Sequence, residues 1–181
     1  MITVIICTYN RYESLKDTLE SFLKLNHSNQ FDFEILLIDN NSKDQTKAIV
    51  ESYIPCFKGR LRYLFEGNQG KCYALNLGIK EAKGEILAFT DDDVLVDINY
   101  LNEINDVFNK YSEIDFIGGK ILPLWSSDKP DWIKGSLLGA LAMLDYGDQP
   151  FIINSNASKS ELRNKIFFGA NFAFRKEMFI K

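Results

Sequence analysis

Three consecutive carboxylates, Asp91, Asp92 and Asp93, stand between two apolar runs in "EILAFTDDDVLV". Adjacent like charges repel, so folding alone gives little reason to place them there. In an extended segment, side chains at i and i+2 share a side. That pairs Asp91 with Asp93 and turns Asp92 away. Two carboxylates at a strand end suit a hard divalent cation, Mg2+ or Mn2+, which prefers oxygen ligands and keeps room for substrate phosphates. Such an ion on a diphosphate would stabilise the charge that develops as the diphosphate leaves. The plainer reading is a solvated acidic turn capping the next helix. The position after a buried-looking strand, beside other polar strand ends, favours the metal.

Three further clusters share that character. "TYNR" holds Thr8, Tyr9, Asn10 and Arg11, where the tyrosine could lie against a planar base and Arg11 could equally be a surface residue. "DNNSKD" opens with Asp39, Asn40 and Asn41, able to read a base edge or a ribose hydroxyl. Its alternative is an Asx-turn, a job that suits Asn41 and leaves Asp39 as the better ligand. "GNQGK", with Asn68 and Lys71, lacks the spacing of a Walker loop, but it puts Lys71 near a helix N-terminus, where anions bind. Trp125 and Trp132 could stack on sugar faces or simply anchor a loop.

These clusters need elements to hold them. Residues 2–7, 33–38, 61–65, 85–90 and the stretch starting at 114 read as strands. Between them lie helix-period segments: Leu15, Leu19 and Phe22, then a helix opened by a capping box at "SKDQ", then Leu75, Ile79 and Ala82 with Gly84 to end it. Asp97 is the expected N-cap of a helix burying Leu101, Ile104 and Phe108. Strand and helix alternating at this spacing argue for parallel βαβ units in an open α/β sheet, with ligands outside the C-terminal strand ends. All four polar clusters fall at those ends. After about Lys120 the alternation breaks down, and a strand pattern returns only over residues 167–174.

Composition sets the limits. The 181 residues suit a single domain, with 46% hydrophobic and 25% charged residues. A net charge of −4 offers no basic face for nucleic acid. Cys7, Cys56 and Cys72 with the single His27 make neither a disulfide framework nor a zinc set. The N-terminus reads as a strand, not a signal peptide, and the weakly polar run at 135–144 is about half of what a bilayer crossing needs.

Together these stretches resemble the family-2 glycosyltransferases, inverting enzymes with the GT-A fold. "VIICTYNR", "LLIDNNSKDQT", "NQGKCYALNLGIKEAKGE", "FTDDDV" and "FFGANFAFRKEMF" are similar to the family's motifs in the family's order, with Cys7 where proline is usual. The resemblance implies a Rossmann-like open mixed sheet, mostly parallel and flanked by helices. It implies a donor-binding part over residues 1–118 and a partial, truncated acceptor-side part over 119–181. Thr8, Tyr9 and Asp39 would hold the base and ribose of a nucleotide-sugar donor, a UDP-sugar first, with Asn10, Arg11, Asn40 and Asn68 beside them. Lys71 would lie near the diphosphate, Asp91 and Asp92 would contact ribose and neighbouring groups, and Asp93 would be the principal ligand of Mg2+ or Mn2+. Trp125, Trp132, Gly169 and Asn171 are acceptor-side candidates for a saccharide or lipid-linked acceptor.

The family's general base is usually an Asp, often in a Glu-Asp pair, downstream of the G-x-N-x-x-x-R stretch. No such pair occurs before Lys181, so the base is expected beyond it. The family-level setting is polysaccharide or glycolipid assembly in the cytoplasm at the inner face of a membrane. The rival readings are a nucleotide-binding chain without turnover and a nucleotidyltransferase.

Overall fold

The computed structural model describes residues 1–27, 30–125, 128, 130–133, 141–153 and 168–179. Its centre is a sheet of six strands in the order β3-β2-β1-β4-β6-β5. The strands are β1 (Ile2–Thr8), β2 (Phe33–Asp39), β3 (Leu61–Phe65), β4 (Ile86–Thr90), β5 (Phe116–Gly118) and β6 (Phe172–Arg175). The first four run parallel, and β6 enters antiparallel between β4 and β5. The expected open, mostly parallel sheet is therefore present.

β1 and β2 lie at the middle and are buried along nearly their whole length, as strands covered on both faces must be. Alternation then sorts their side chains. Ile2, Val4 and Ile6 with Ile35 and Leu37 face α1 (Tyr12–Leu23), α2 (Thr46–Tyr53) and α4 (Tyr100–Lys110). Leu15, Leu19 and Phe22 of α1 and Leu101, Ile104 and Phe108 of α4 close that side. Ile5, Leu36 and Ile38 face α3 (Lys71–Glu81) on the other side, with Leu87 and Phe89. Each fully buried Ile or Leu contributes roughly 1.5–3 kcal/mol, so this double-sided core is the main source of stability.

α3 sits closer to the sheet than its Leu75 and Ile79 suggest. Its buried positions are Ala74 and Gly78, and a Cβ at Gly78 would lie 2.8 Å from Ile5 Cγ2. Gly84 likewise serves a close approach rather than a helix cap: a Cβ there would stand 2.6 Å from the backbone nitrogen of Thr3.

Two helix starts differ from expectation. α2 begins at Thr46 rather than after Ser42, because Asp44 takes the amide and hydroxyl of Thr46 at 3.0 and 2.6 Å. α4 begins at Tyr100, and Asp97 accepts the Asn99 amide at 2.8 Å one turn before it. Among the described residues no helix is long and apolar enough to cross a membrane.

Candidate functional site

The chain order reverses at β1. From β1 it runs outward through β2 to β3, then α3 crosses back to place β4 on β1's other side. Such a switch point leaves a crevice beyond the C-terminal ends of the two diverging strands. Ile6 pairs with Thr90, so Thr8 to Arg11 at the end of β1 and Asp91 to Asp93 after β4 face each other across it.

Two helices also point their N-termini there. Arg11 is the N-cap of α1, and Lys71 is the first residue of α3, just after Gly70 at φ 142°. Both positions sit at the positive end of a helix dipole, where a carboxylate is welcome and a cation is not. The cations are stabilised instead by the acidic triplet. Lys71 Nζ donates to Asp91 Oδ1 at 2.7 Å. Arg11 Nη1 reaches Asp93 Oδ2 at 2.5 Å and Asp92 Oδ1 at 3.4 Å.

The triplet is thus divided differently from its strand alternation. β4 ends at Thr90, and Asp92 and Asp93 form a turn, so the i, i+2 rule does not apply to them. Asp91 goes with Lys71, and Asp92 goes with Asp93 under Arg11. Asp92 is buried, Asp93 exposed and Asp91 intermediate. Burial pushes the Asp92 carboxyl above the ordinary aspartate range, against the opposing pull of Thr8 and Arg11. Thr8 Oγ1 is itself buried and closes no hydrogen bond of good geometry.

Arg11 is held more firmly protonated than usual by Asp92 first and Asp93 second. Lys71 is also raised: burial works against its charge, but the Asp91 hydrogen bond and charge outweigh it. Cys7 sits behind this group, and burial pushes its thiol up to about 12.

The loop after β2 is braced by its own polar side chains. Asp39 Oδ1 accepts the Ser42 amide at 2.8 Å, and Oδ2 accepts the Tyr63 hydroxyl at 2.7 Å. Asp39 therefore braces the turn, through an amide three residues on, in the place where an Asx-turn was expected of Asn41, while Asn41 takes a left-handed φ of 67°. Asn40 is buried; its amide donates to the Asn68 carbonyl at 2.7 Å and accepts from the Gly70 amide at 2.7 Å. It fastens the 66–70 loop and so places the head of α3. Asn10, at φ 52°, joins the first two loops by accepting the Lys43 amide at 2.7 Å.

Sequence reasoning did not single out Tyr63, Asp44 or Glu66 for the site, and it read Ser42 only as a helix cap. Tyr63 reaches Asp39 only through strand register, and Glu66 holds the Asn68 amide at 2.7 Å. Tyr9 is exposed on the rim.

On the β6 flank of β4, Thr90 Oγ1 donates to the Ala170 carbonyl at 2.9 Å, which sets Gly169 and Asn171, expected on the acceptor side, next to the start of the acidic turn. Asn171 also donates to the Lys120 carbonyl at 2.9 Å and anchors the chain leaving β5. Trp125 is half-buried and Trp132 exposed, both on irregular chain.

Residues 3–181 match the sequence profile of Glycosyl transferase family 2. The chain belongs to that family. It is 20% identical over 99% of its length to a glucosyl-dolichyl phosphate glucuronosyltransferase of Haloferax volcanii, covering 54% of that protein. It is 30% identical over 80% of its length to a poly-β-1,6-N-acetyl-D-glucosamine synthase of Staphylococcus epidermidis, covering 32% of it. The chain thus spans about half, or less, of the length of these relatives.

Among solved structures, a mannosyltransferase of Pyrobaculum calidifontis in complex with GDP-Man and Mn2+ superimposes over 98% of this chain and 45% of its own, with a TM-score of 0.67 at 21% identity. S. aureus TarS in complex with UDP-GlcNAc matches 72% of this chain and 37% of its own, with a TM-score of 0.61 at 25% identity. The α/β sheet is that of the GT-A glycosyltransferases, as the sequence resemblance implied.

Proposed function

We propose that this chain is the donor-binding part of an inverting glycosyltransferase that uses a nucleotide-diphospho-sugar, a UDP-sugar first, with Mg2+ or Mn2+. The observation that carries it is the convergence of two helix N-termini, Arg11 and Lys71 on one crevice at the switch point. Positive helix ends and cations on a single rim suit a diphosphate. Family membership, and relatives solved with UDP-GlcNAc or GDP-Man, support the same ligand class.

In this reading the base lies against Tyr9, and Asp39, braced by Tyr63 and Ser42, meets base or ribose. Thr8 offers its buried hydroxyl beside Asp92. Lys71 exchanges part of its contact with Asp91 for the phosphates. Among the described residues no three ligating side chains are gathered, so the ion would rest on Asp93, with Asp91 beside it, and on phosphate oxygens of the donor, as a hard divalent ion held by one or two carboxylates does. When bound, the ion would offset charge on the departing diphosphate. The chain's own residues orient the donor and neutralise its phosphates. The names of the two relatives support a saccharide or lipid-linked acceptor.

Calorimetric titration with UDP and with GDP, each in Mn2+, tests the reading. Saturable heat from one of them, absent with the nucleoside alone, is expected. Intact protein that binds neither diphosphate overturns it.

A further inference from the structure

We propose that Arg11 is a built-in counter-cation of the acidic turn, one that keeps free divalent metal off Asp93 until a diphosphate arrives with it. The inference rests on the donor-binding reading above and concerns how that site is loaded. Its basis is that Arg11 already holds Asp93, the carboxylate assigned to the ion. One guanidinium nitrogen bridges Asp93 Oδ2 at 2.5 Å and Asp92 Oδ1 at 3.4 Å.

Helix propensity does not explain an arginine there. As the N-cap of α1, Arg11 makes no side-chain capping bond, and its charge lies against the positive end of the helix dipole. Its side chain is 54% exposed, so packing explains little either. What the position offers Arg11 is the pair of carboxylates, and what it offers them is relief of repulsion. Lys71 does the same for Asp91 at the head of α3.

The charge balance sets the consequence. The three aspartates face two fixed cations, so the empty crevice is close to neutral with one negative charge in excess. A divalent ion entering alone would leave one positive charge in excess, beside a guanidinium that must yield its contact. An ion entering with the diphosphate of a nucleotide sugar, which carries two negative charges, restores the original balance. Metal and nucleotide therefore load as a coupled pair, and linkage makes the coupling reciprocal. An open cleft of about 370 Å3 lined by Asn10 to Ser14 and Asp93 gives the Arg11 side chain room to leave Asp93 without unfolding α1.

The test is Mn2+ binding without nucleotide, followed by the electron paramagnetic resonance of the free ion, then repeated at saturating UDP. Arg11→Ala should bind free Mn2+ about tenfold tighter than the unaltered chain, and UDP should enhance its Mn2+ affinity correspondingly less. Arg11→Lys, which keeps a cation, should remain near the unaltered chain in both respects. An Arg11→Ala protein that is folded by circular dichroism but binds free Mn2+ no tighter overturns the proposal. So does an Arg11→Lys protein that binds free Mn2+ as tightly as Arg11→Ala. If the unaltered chain binds Mn2+ and UDP together, those failures leave the donor-binding reading standing. If it binds neither, both readings fall.

Discussion

The two ends of this sheet each bury a carboxylate beside an arginine, and they treat it oppositely. At the N-terminal end, Glu34, near the start of β2, accepts three hydrogen bonds on its two oxygens. Oε1 accepts Thr3 Oγ1 at 2.9 Å and the Lys83 amide at 2.7 Å, and Oε2 accepts Arg62 at 2.8 Å. Burial alone would raise its carboxyl, but these bonds outweigh it and hold the group below the ordinary range of about 4.5. At the C-terminal end, Asp92 has Arg11 only at 3.4 Å and an adjacent Asp93, and its carboxyl is raised. One end is a finished knot. The other keeps charge only partly compensated, where a ligand can complete it.

That contrast can be broken first at the knot. Glu34→Ala should cost about 3 kcal/mol in a urea melt, because Arg62, Thr3 and the Lys83 amide lose a shared acceptor. UDP affinity of the folded protein should not change. A cost below about 1 kcal/mol would erase the difference between the ends.

Asn40→Ala is the intermediate case, removing a buried amide that ties two loops. It should cost roughly 1–3 kcal/mol and also weaken UDP binding, because the head of α3 loses its register. A stability loss without an effect on UDP would show that Asn40 is only a brace.

The smallest effect concerns pH. Glu34 has a lowered folded pKa, so its contribution is present above about 4.5 and is lost as pH falls through the folded value. Glu34→Gln should therefore be less stable than the unaltered chain at neutral pH, with the gap closing in acid. Asp92 has the opposite sign: its raised pKa makes the charged form the unfavourable one. Asp92→Asn should melt higher at neutral pH, with the gain fading as pH falls below the folded value. Parallel melting curves against pH for the two variants would contradict the assignment.

Much of this was legible in the sequence because the core strands are unbroken apolar runs and α1 and α4 carry clean periodicity, whereas α3 buries Ala74 and Gly78 instead of its larger apolar residues. "ITVIICT" and "FEILLID" read as buried strands, and their polar followers mark the rim. What stayed hidden depended on where an element stops. The alternation that paired Asp91 with Asp93 holds only within a strand, and β4 ends at Thr90.

Long-range partners were hidden for a related reason. Tyr63 meets Asp39 through register, and Arg11 meets Asp93 across the switch point, neither of which leaves a local signal. Asp39 took on the loop-bracing bond expected of Asn41 because both side chains suit a turn, and only the backbone decided between them.

The most direct test of the account is UDP binding in Mn2+ by the Asp91→Ala/Asp93→Ala double variant. The two carboxylates are proposed to serve the ligand rather than the fold. Affinity should therefore fall at least about tenfold, the loss of ~1.4 kcal/mol of binding energy, while the melting temperature stays level or rises. Undiminished binding by a folded double variant would contradict the assignment of this crevice to a metal-diphosphate donor.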